Sequence, residues 1–490
     1  MKLKKLTKKY IDNSQSIPNI EINNICSNSK KVKKDSLFLA IKGSKFDGHN
    51  FIDDAITKGA SAIISNGANT KKLSVPNIKV KNTRIALSKI ASKFYGHPSK
   101  KIKIIGITGT NGKTTTATLI KSIFDTAGLN SAQLGTLGLI SNEINENFLL
   151  TTPGPLFLHK KINYLIKKNV THLVMEVSSH SLHQHRVDDI NFNVGVFTNL
   201  SEEHLDYHLD MDNYLQAKSR LFNLLPKDAI AIINYDDKYG GEITKNIKSE
   251  LLKISINKKT DSYFTRLSKN FNGINGICRV KNSEVKINSK LLGKFNAQNI
   301  QSAVSACIAI GIDIKSIEKG IKNCISIPGR MEVFKYKNAK IIIDYAHTPD
   351  AYEKILSTIK ELNSKKGKIN VLFGCGGERD ESKRPIMAKI AEKYAKKLWI
   401  TPDNPRNENL ERINSQIIKG LAYKKYEIFN DRAIGLNNAL NSLNGNDILI
   451  VLGKGRENYQ ILKNKKVSYS DIEIIERFIN ENWFTKPKKL

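Results

Sequence analysis

The sequence predicts an α/β chain of three domains: an N-terminal α/β domain over residues 1–98, a central P-loop domain with a mainly parallel sheet over 99–328, and a C-terminal Rossmann-like domain over 329–490. Three observations predict it. At 490 residues the chain is too long for one hydrophobic core. Short β-branched runs alternate with segments of helical periodicity, the order that builds parallel sheets. Most of those runs also end in a polar cluster, as strands do where a parallel sheet opens onto a ligand.

In the first unit, residues 36–41 read as a strand, closed by the turn residues Gly43, Asp47 and Gly48. A helix is predicted over residues 83–95, where Ile85, Leu87, Ile90, Ala91 and Phe94 recur at helical spacing. Gly96 and Pro98 stop it, which puts a boundary near His97-Pro98-Ser99.

The central unit is built around residues 101–116. Ile102 to Ile105 reads as a buried strand, followed by a glycine-rich loop and a helix with apolar Leu119, Ile120, Ile123, Phe124 and Ala127. Strand, loop and helix form a phosphate-binding arrangement: glycines let N–H groups turn toward an anion, Lys113 adds a point charge, and Thr114 can hold magnesium. The strict GxxxxGK[ST] spacing is not met, because Ile107 stands where its first glycine would be; Gly109-x-x-Gly112-Lys113-Thr114 remains. Lys-Thr at the helix start points to ATP or GTP.

Later strands repeat one pattern. Residues 171–175 run into Glu176-Val177-Ser178-Ser179-His180, 194–197 into Thr198 to His204, and 229–233 into Asn234-Tyr235-Asp236-Asp237. In the third unit, 341–343 lead into Asp344-Tyr345-Ala346-His347, 370–373 into Gly374 to Asp380, 398–400 into Thr401 to Arg406, and 448–452 into Gly453 to Asn458. Glu176 and His204 are candidate magnesium ligands at strand tips. On chemistry alone, His204 reads equally as an ordinary surface histidine.

Hydrophobic residues make up 40% of the chain, ample for globular folding. No apolar run approaches the roughly 20 residues that span a bilayer, and the basic start Met1-Lys2-Leu3-Lys4-Lys5 has no apolar signal core after it. Neither membrane insertion nor export is therefore expected. Five cysteines without a CxxC pair suit a reducing cytoplasm. Lys and Arg number 79 against 46 Asp and Glu, a formal charge of +33. The excess is mostly lysine, accompanied by abundant Asn and Ile and scattered through every segment, as AT-rich coding would produce. With no aromatic-rich basic groove or recognition motif, a nucleic-acid partner is not expected. A monomer is.

Six segments resemble the Mur ligase family and occur in that family's order: residues 109–115, 175–180, 204–208, 293–299, 328–332 and 344–349, within a resemblance covering about residue 27 to 460. Within the family, the pattern is nearest to members that add the third residue of the peptidoglycan stem peptide. The resemblance implies an ATP-dependent, ADP-forming ligase that joins meso-2,6-diaminopimelate to UDP-N-acetylmuramoyl-L-alanyl-D-glutamate (UDP-MurNAc-L-Ala-D-Glu). ATP would phosphorylate the D-glutamate side-chain carboxylate, and the amine of the incoming amino acid would attack the resulting acyl phosphate.

It further implies site residues. Gly109, Thr110, Asn111, Gly112, Lys113, Thr114, Thr115, Asn296, Asn299, Arg330 and Asp344 would contact ATP. Thr114, Glu176, His204 and Lys218 would hold Mg²⁺, with Lys113, Glu176, His204 and Lys218 as the catalytic set. Lys218 would carry a CO₂-derived carbamate (N6-carboxylysine), which turns a cation into an anionic oxygen ligand. For the UDP-sugar peptide the implied contacts are Ser29, Thr151, Thr152, Ser178, Gln184 and Arg186. Around Ser29, Asn28 and Lys30 depart from the family's Asp-Ser-Arg. For diaminopimelate they are Arg379, Asp403, Asn404, Pro405, Arg406, Gly453 and Glu457. Arg406 can grip diaminopimelate's extra carboxylate bidentately, and Glu457 suits its distal ammonium. Arg456 replaces the family's usual histidine.

The alternatives are a lysine-adding ligase of the same family and, from another class, a basic P-loop nucleic-acid-binding ATPase. A folylpolyglutamate synthetase is disfavoured by Asp403-Asn404-Pro405-Arg406 and the muramyl-type first domain. A scaffold without catalysis is disfavoured by the presence of Lys113, Glu176, His204 and Lys218.

Overall fold

Three parallel-rich sheets follow one another along the chain. The structure, a computed structural model, describes residues 1–8, 17–43, 46–67, 73–363, 367–423, 425–463 and 465–484. The first sheet has four parallel strands in sequence order, Asn24–Cys26, Ser36–Leu39, Ala60–Ser65 and Asn77–Lys79. Ser36–Leu39 is buried at every position, because helices or loops cover both faces. It is shorter than the predicted run: beyond Ala40 the chain turns, and Gly48 N–H donates to Ile41 O at 2.9 Å. The helix Thr83–Phe94 forms as predicted, with the Asn82 side chain accepting from the N–H groups of Arg84 and Ile85.

The second sheet has eleven strands. Its parallel centre runs Glu250–Ile254, Ile230–Asn234, Val194–Phe197, Lys103–Thr108, His172–Glu176, Ser131–Gly135. The phosphate-loop strand thus lies between the strands that end in Glu176 and in Phe197, where ligands gather in open parallel sheets. Both edges are antiparallel, a feature the sequence did not announce. Ser262–Asn270, Gly273–Val280 and Ser283–Ser289 form a meander on one side; Gly138–Ser141 and Asn145–Glu146 lie on the other. One face packs on the helices Lys113–Thr126, Lys294–Ala309 and Ile314–Asn323; the other on Pro155–Lys167 and Met211–Asn223.

The third sheet runs Glu332–Tyr336, Ala339–Asp344, Ile448–Leu452, Ile369–Phe373, Lys397–Ile400, Tyr426–Ile428, parallel except for the first pair. Ile369–Phe373 and Ile448–Leu452 are buried throughout, as strands covered on both faces must be. A hairpin, Tyr459–Leu462 with Lys465–Ser468, sits beside this sheet. The carboxyl ends of the second and third sheets meet around a cavity of ≈ 1350 Å³. Hydrogen bonds cross it: Asp350 Oδ2 accepts from Asn111 Nδ2 at 2.9 Å and from Ser201 Oγ at 3.0 Å. Among the described residues, no helix is long and apolar enough to cross a membrane.

Candidate active site

The phosphate loop begins where Lys103–Thr108 ends, three residues past Ile105. Two glycines allow its path. Gly109 has φ +149°, and a Cβ there would lie 1.9 Å from Thr198 Oγ1; Gly112, at φ +89°, would meet Asn299 Oδ1 at 2.3 Å. The next strand's tip braces the loop: Thr110 N–H donates to Asn199 O, Asn111 N–H to Asn199 Oδ1, and Thr198 Oγ1 to Asn111 O, at 2.8, 2.9 and 2.6 Å. Lys113 opens the helix Lys113–Thr126, whose free N–H groups and dipole favour an anion. Its Nζ donates to the carbonyl oxygens of Gly109 and Thr110, both at 2.8 Å. Burial lowers its pKa, against the pull of Glu203 and Glu176.

Beside it, Thr114 Oγ1 donates to Glu176 Oε2 at 3.0 Å. Glu176 is the last residue of its strand rather than the first of the loop, and it is fully buried. It also accepts from Thr136 N–H at 2.9 Å and from Thr136 Oγ1 at 3.1 Å. His204 precedes the short helix Leu205–His208 in left-handed backbone, φ +59°. Burial lowers its pKa to about 4, so at neutral pH the imidazole is uncharged and has a lone pair to offer. Lys218, on Met211–Asn223, is 1% exposed and lies behind the cavity wall. Its Nζ is 4.4 Å from the centroid of the Tyr214 ring, whose hydroxyl shares a 3.2 Å hydrogen bond with Thr110 Oγ1. Burial first, then Lys113, pushes its pKa well down. An uncharged amine is the form that adds CO₂, so Lys218 fits a carbamate.

Among the described residues, no three His, Cys, Asp or Glu side chains converge as a ready-made metal cage. A hydroxyl and a buried carboxylate at a phosphate-binding helix terminus nevertheless fit magnesium, which takes its remaining ligands from phosphate oxygens and water.

Glu203 carried no role in the sequence reading, although it lies in the polar run after Val194–Phe197. It lines the cavity between His204 and His347, 3.9 and 3.4 Å away. Burial alone would raise its pKa; His347, His204 and Lys113 together hold it well below the usual carboxylate range.

The remaining nucleotide candidates also line the cavity. Asn296 and Asn299 are joined side chain to side chain at 2.9 Å, and the Arg330 guanidinium lies 4.7 Å from the Tyr345 ring centroid. Asp344 accepts from the N–H groups of Met331 and Ala346 at 2.8 and 2.7 Å and so shapes its own turn.

Thr151, Thr152, Ser178 and Arg186 form another wall. Thr152 Oγ1 donates to Glu176 O and accepts from Ser178 N–H; Arg186 Nη1 donates to Thr152 O at 2.6 Å. Two of the expected substrate contacts stand back from the cavity. Gln184 acts through Arg186, taking two of its N–H bonds on Oε1 and donating to Tyr207 Oη. Ser29 is buried in the turn Ser29–Lys31 of the first sheet's margin.

At the opposite end stand Arg379, Asp403, Asn404, Arg406, Gly453 and Glu457; Pro405 does not reach the cavity. Arg406 has φ +56°, and its backbone pairs with the hairpin, N–H to Ile461 O at 3.0 Å and O from Lys463 N–H at 2.7 Å. Its Nη1 donates to Gly377 O at 2.6 Å and to Asn404 O at 3.4 Å; its Nε and Nη2, and the guanidinium of Arg379, have no partner among the described residues. Lys454, which the sequence reading passed over within Gly453-Lys454-Gly455, is fully buried. Its Nζ donates to Glu457 Oε2 at 3.0 Å and to Asn404 Oδ1 at 3.2 Å. Asn404 Nδ2 also donates to Glu457 Oε2, at 2.9 Å. Arg456 faces away and pairs with Glu332, so the missing histidine is replaced by a brace.

Three family descriptions match the chain in succession: "Mur ligase family, catalytic domain" over residues 21–95, "Mur ligase middle domain" over 107–307, and "Mur ligase, glutamate ligase domain" over 329–455. A UDP-N-acetylmuramoyl-L-alanyl-D-glutamate--2,6-diaminopimelate ligase of Clostridium tetani is 39% identical over 98% of this chain and 100% of its own length. The enzyme of that name from Aquifex aeolicus is 40% identical over 94% of each. A solved structure with the same description superposes with a TM-score of 0.70 at 28% identity, covering 99% of both chains. With such likeness along almost its whole length, the chain belongs to the Mur ligase family.

Proposed function

We propose that the chain is an ATP-dependent, ADP-forming ligase that adds meso-2,6-diaminopimelate to UDP-MurNAc-L-Ala-D-Glu, a step of peptidoglycan precursor synthesis. The observation that carries this is the single cavity with a phosphate loop at one end and two arginines with unpartnered donors at the other. Between them, the D-glutamate carboxylate would meet the terminal phosphate of ATP. Bringing two anions together needs cations fixed in advance, since only preorganised charge stabilises the transition state without rearranging.

Lys113 and the helix N-terminus hold the phosphates; Thr152, Ser178 and Arg186 hold the peptide substrate; Arg379 and Arg406 hold the distal carboxylate of diaminopimelate. Magnesium held by Thr114, Glu176, His204 and carbamylated Lys218 would supply neutralisation of the phosphate charge. The division of the chain near residues 98 and 328 is part of this reading, as each of the three sheets falls within one interval. So is a cytoplasmic monomer; all five cysteines are buried and unpaired, as in a reducing compartment.

The test is ADP release with ATP, magnesium, UDP-MurNAc-dipeptide and diaminopimelate, omitting each in turn. Full turnover is expected only with all four; turnover independent of the muramyl substrate would sink the reading.

Arg406→Ala leaves a diaminopimelate carboxylate without its partner, a loss on the order of 1–3 kcal/mol, or roughly tenfold to a few hundredfold. The KM for diaminopimelate should rise accordingly while that for UDP-MurNAc-dipeptide stays nearly constant. Arg406→Lys should recover little, since a point charge cannot reproduce a two-pronged grip. Equal damage to both constants would mean that Arg406 only braces its loop. The net charge, in turn, has no part in function: binding to random duplex DNA should be weak and vanish steeply with salt. Tight, sequence-dependent binding at physiological salt in a filter or anisotropy assay would restore the nucleic-acid alternative.

A further inference from the structure

The two arginines at the amino-acid end come from neighbouring loops. Residues 374–380, after Ile369–Phe373, carry Arg379; residues 401–408, after Lys397–Ile400, carry Arg406. The loops are stitched together by Gly377 N–H donating to Asn404 O at 3.0 Å and by Arg406 Nη1 donating to Gly377 O. Gly376 lies between the two side chains: a Cβ there would be 3.2 Å from Arg406 Nη1 and 3.7 Å from Arg379 Cγ.

Behind this surface, outside the cavity, a fully buried guanidinium clamps both loops. Arg384, on the helix Lys383–Tyr394, donates from Nη1 to Glu408 Oε1 at 2.5 Å and from Nη2 to Glu408 Oε2 at 2.7 Å. The same two nitrogens reach Gln416 Oε1 at 2.7 Å and Gly376 O at 3.0 Å. Glu408 Oε2 then accepts from Glu378 N–H at 2.9 Å. One ion pair therefore holds the end of the Arg406 loop and two backbone positions of the Arg379 loop. Hydrogen bonds from Arg384 hold Glu408 down to about 2, so the pair is ionised at neutral pH. Buried ion pairs contribute little net stability, because desolvation offsets their attraction. What a two-pronged pair does supply is geometry.

We propose that Arg384 and Glu408 are positioning residues for amino-acid selection: their ion pair fixes the spacing of Arg379 and Arg406, and with it the preference for an amino acid bearing a second carboxylate. The inference rests on the reading of this end of the cavity as the diaminopimelate site. Neither residue lines the cavity, so each acts only through the loops it holds.

The test uses the full chain with Arg384→Met, Arg384→Lys and Glu408→Gln, measuring KM for each of the three substrates and the ratio of kcat/KM for diaminopimelate over lysine. For Arg384→Met, the KM for diaminopimelate should rise roughly tenfold or more and the ratio fall by a similar factor. The kcat at saturation and the other two KM values should change by about twofold or less. Arg384→Lys should fall between wild type and Arg384→Met. Glu408→Gln keeps the size and an oxygen for Glu378 N–H; it should shift the same two quantities in the same direction, and it decides the question if Arg384→Met does not fold. A purely structural pair would move kcat and all three KM values together and leave the ratio unchanged, which would overturn the proposal. If wild type fails to ligate diaminopimelate at all, the reading of the site falls and this inference with it; an unchanged ratio in active variants removes the inference alone.

Discussion

Lys113→Ala should abolish ligation while leaving the fold intact, with kcat/KM lower by on the order of 10³ or more. Two features set the size of this effect. Lys113 is the only ammonium on the phosphate-binding turn, and the groups it opposes, a triphosphate and a carboxylate, are both anionic. The fold should survive because Nζ bonds only to carbonyl oxygens of its own loop, Gly109 and Thr110. Those carbonyls can turn to water, whereas the bonds that fix the loop, Thr110 N–H to Asn199 O and Thr198 Oγ1 to Asn111 O, are untouched. Circular dichroism and the thermal midpoint should match wild type. Near-wild-type turnover would remove the phosphate loop from the mechanism.

Lys218→Ala should be almost as inactive, for a different reason. A buried amine with no acidic partner within bonding distance among the described residues contributes no ion pair to stability, and burial disfavours its charged form. Its use lies in becoming an anion: the carbamate would give a second magnesium an oxygen ligand where the uncharged amine offers little. Short carboxylic acids added to Lys218→Ala should restore part of the activity by entering the space left by the side chain. Activity should also fall in wild type when CO₂ is stripped from the buffer. Full activity of Lys218→Ala, or of wild type whose intact mass shows no carbamate, would contradict the assignment.

The sequence displayed those parts of the site whose chemistry is local. Strand, glycines and Lys113-Thr114 stand within a dozen residues, and each polar strand tip follows its own apolar run, so Glu176 and His204 stand out as candidates one element at a time, whereas Asp344 and Asp403 lie in the same kind of run and take their roles from the family resemblance. What it hid depends on distant partners. Asp350, which holds Asn111 and Ser201 across the cavity, is separated from Asn111 by 239 positions. Glu203 gains its character from His347, which arrives from another sheet. Gln184 and Arg186 are two residues apart and equally polar; only the turn after Ser179–His183 decides that one faces the cavity and the other supports it. The meander at 262–289 is not legible because Ser262–Asn270 and Ser283–Ser289 are rich in Lys, Asn and Ser, and Gly273–Val280 is interrupted by Asn275 and Gly276. In Ser283–Ser289 the alternation rests on Val285 and Ile287 alone.

On the proposed function, this cavity joins an amino acid with two carboxylates to a muramyl dipeptide at the expense of ATP. Incubating the purified chain with ATP, magnesium, UDP-MurNAc-L-Ala-D-Glu and equal concentrations of meso-diaminopimelate and L-lysine, then reading the product mass, tests it most directly. The predicted result is a UDP-MurNAc-tripeptide carrying diaminopimelate, formed together with one ADP per product. A lysine-bearing tripeptide as the main product, or ADP release with no tripeptide at all, would contradict it.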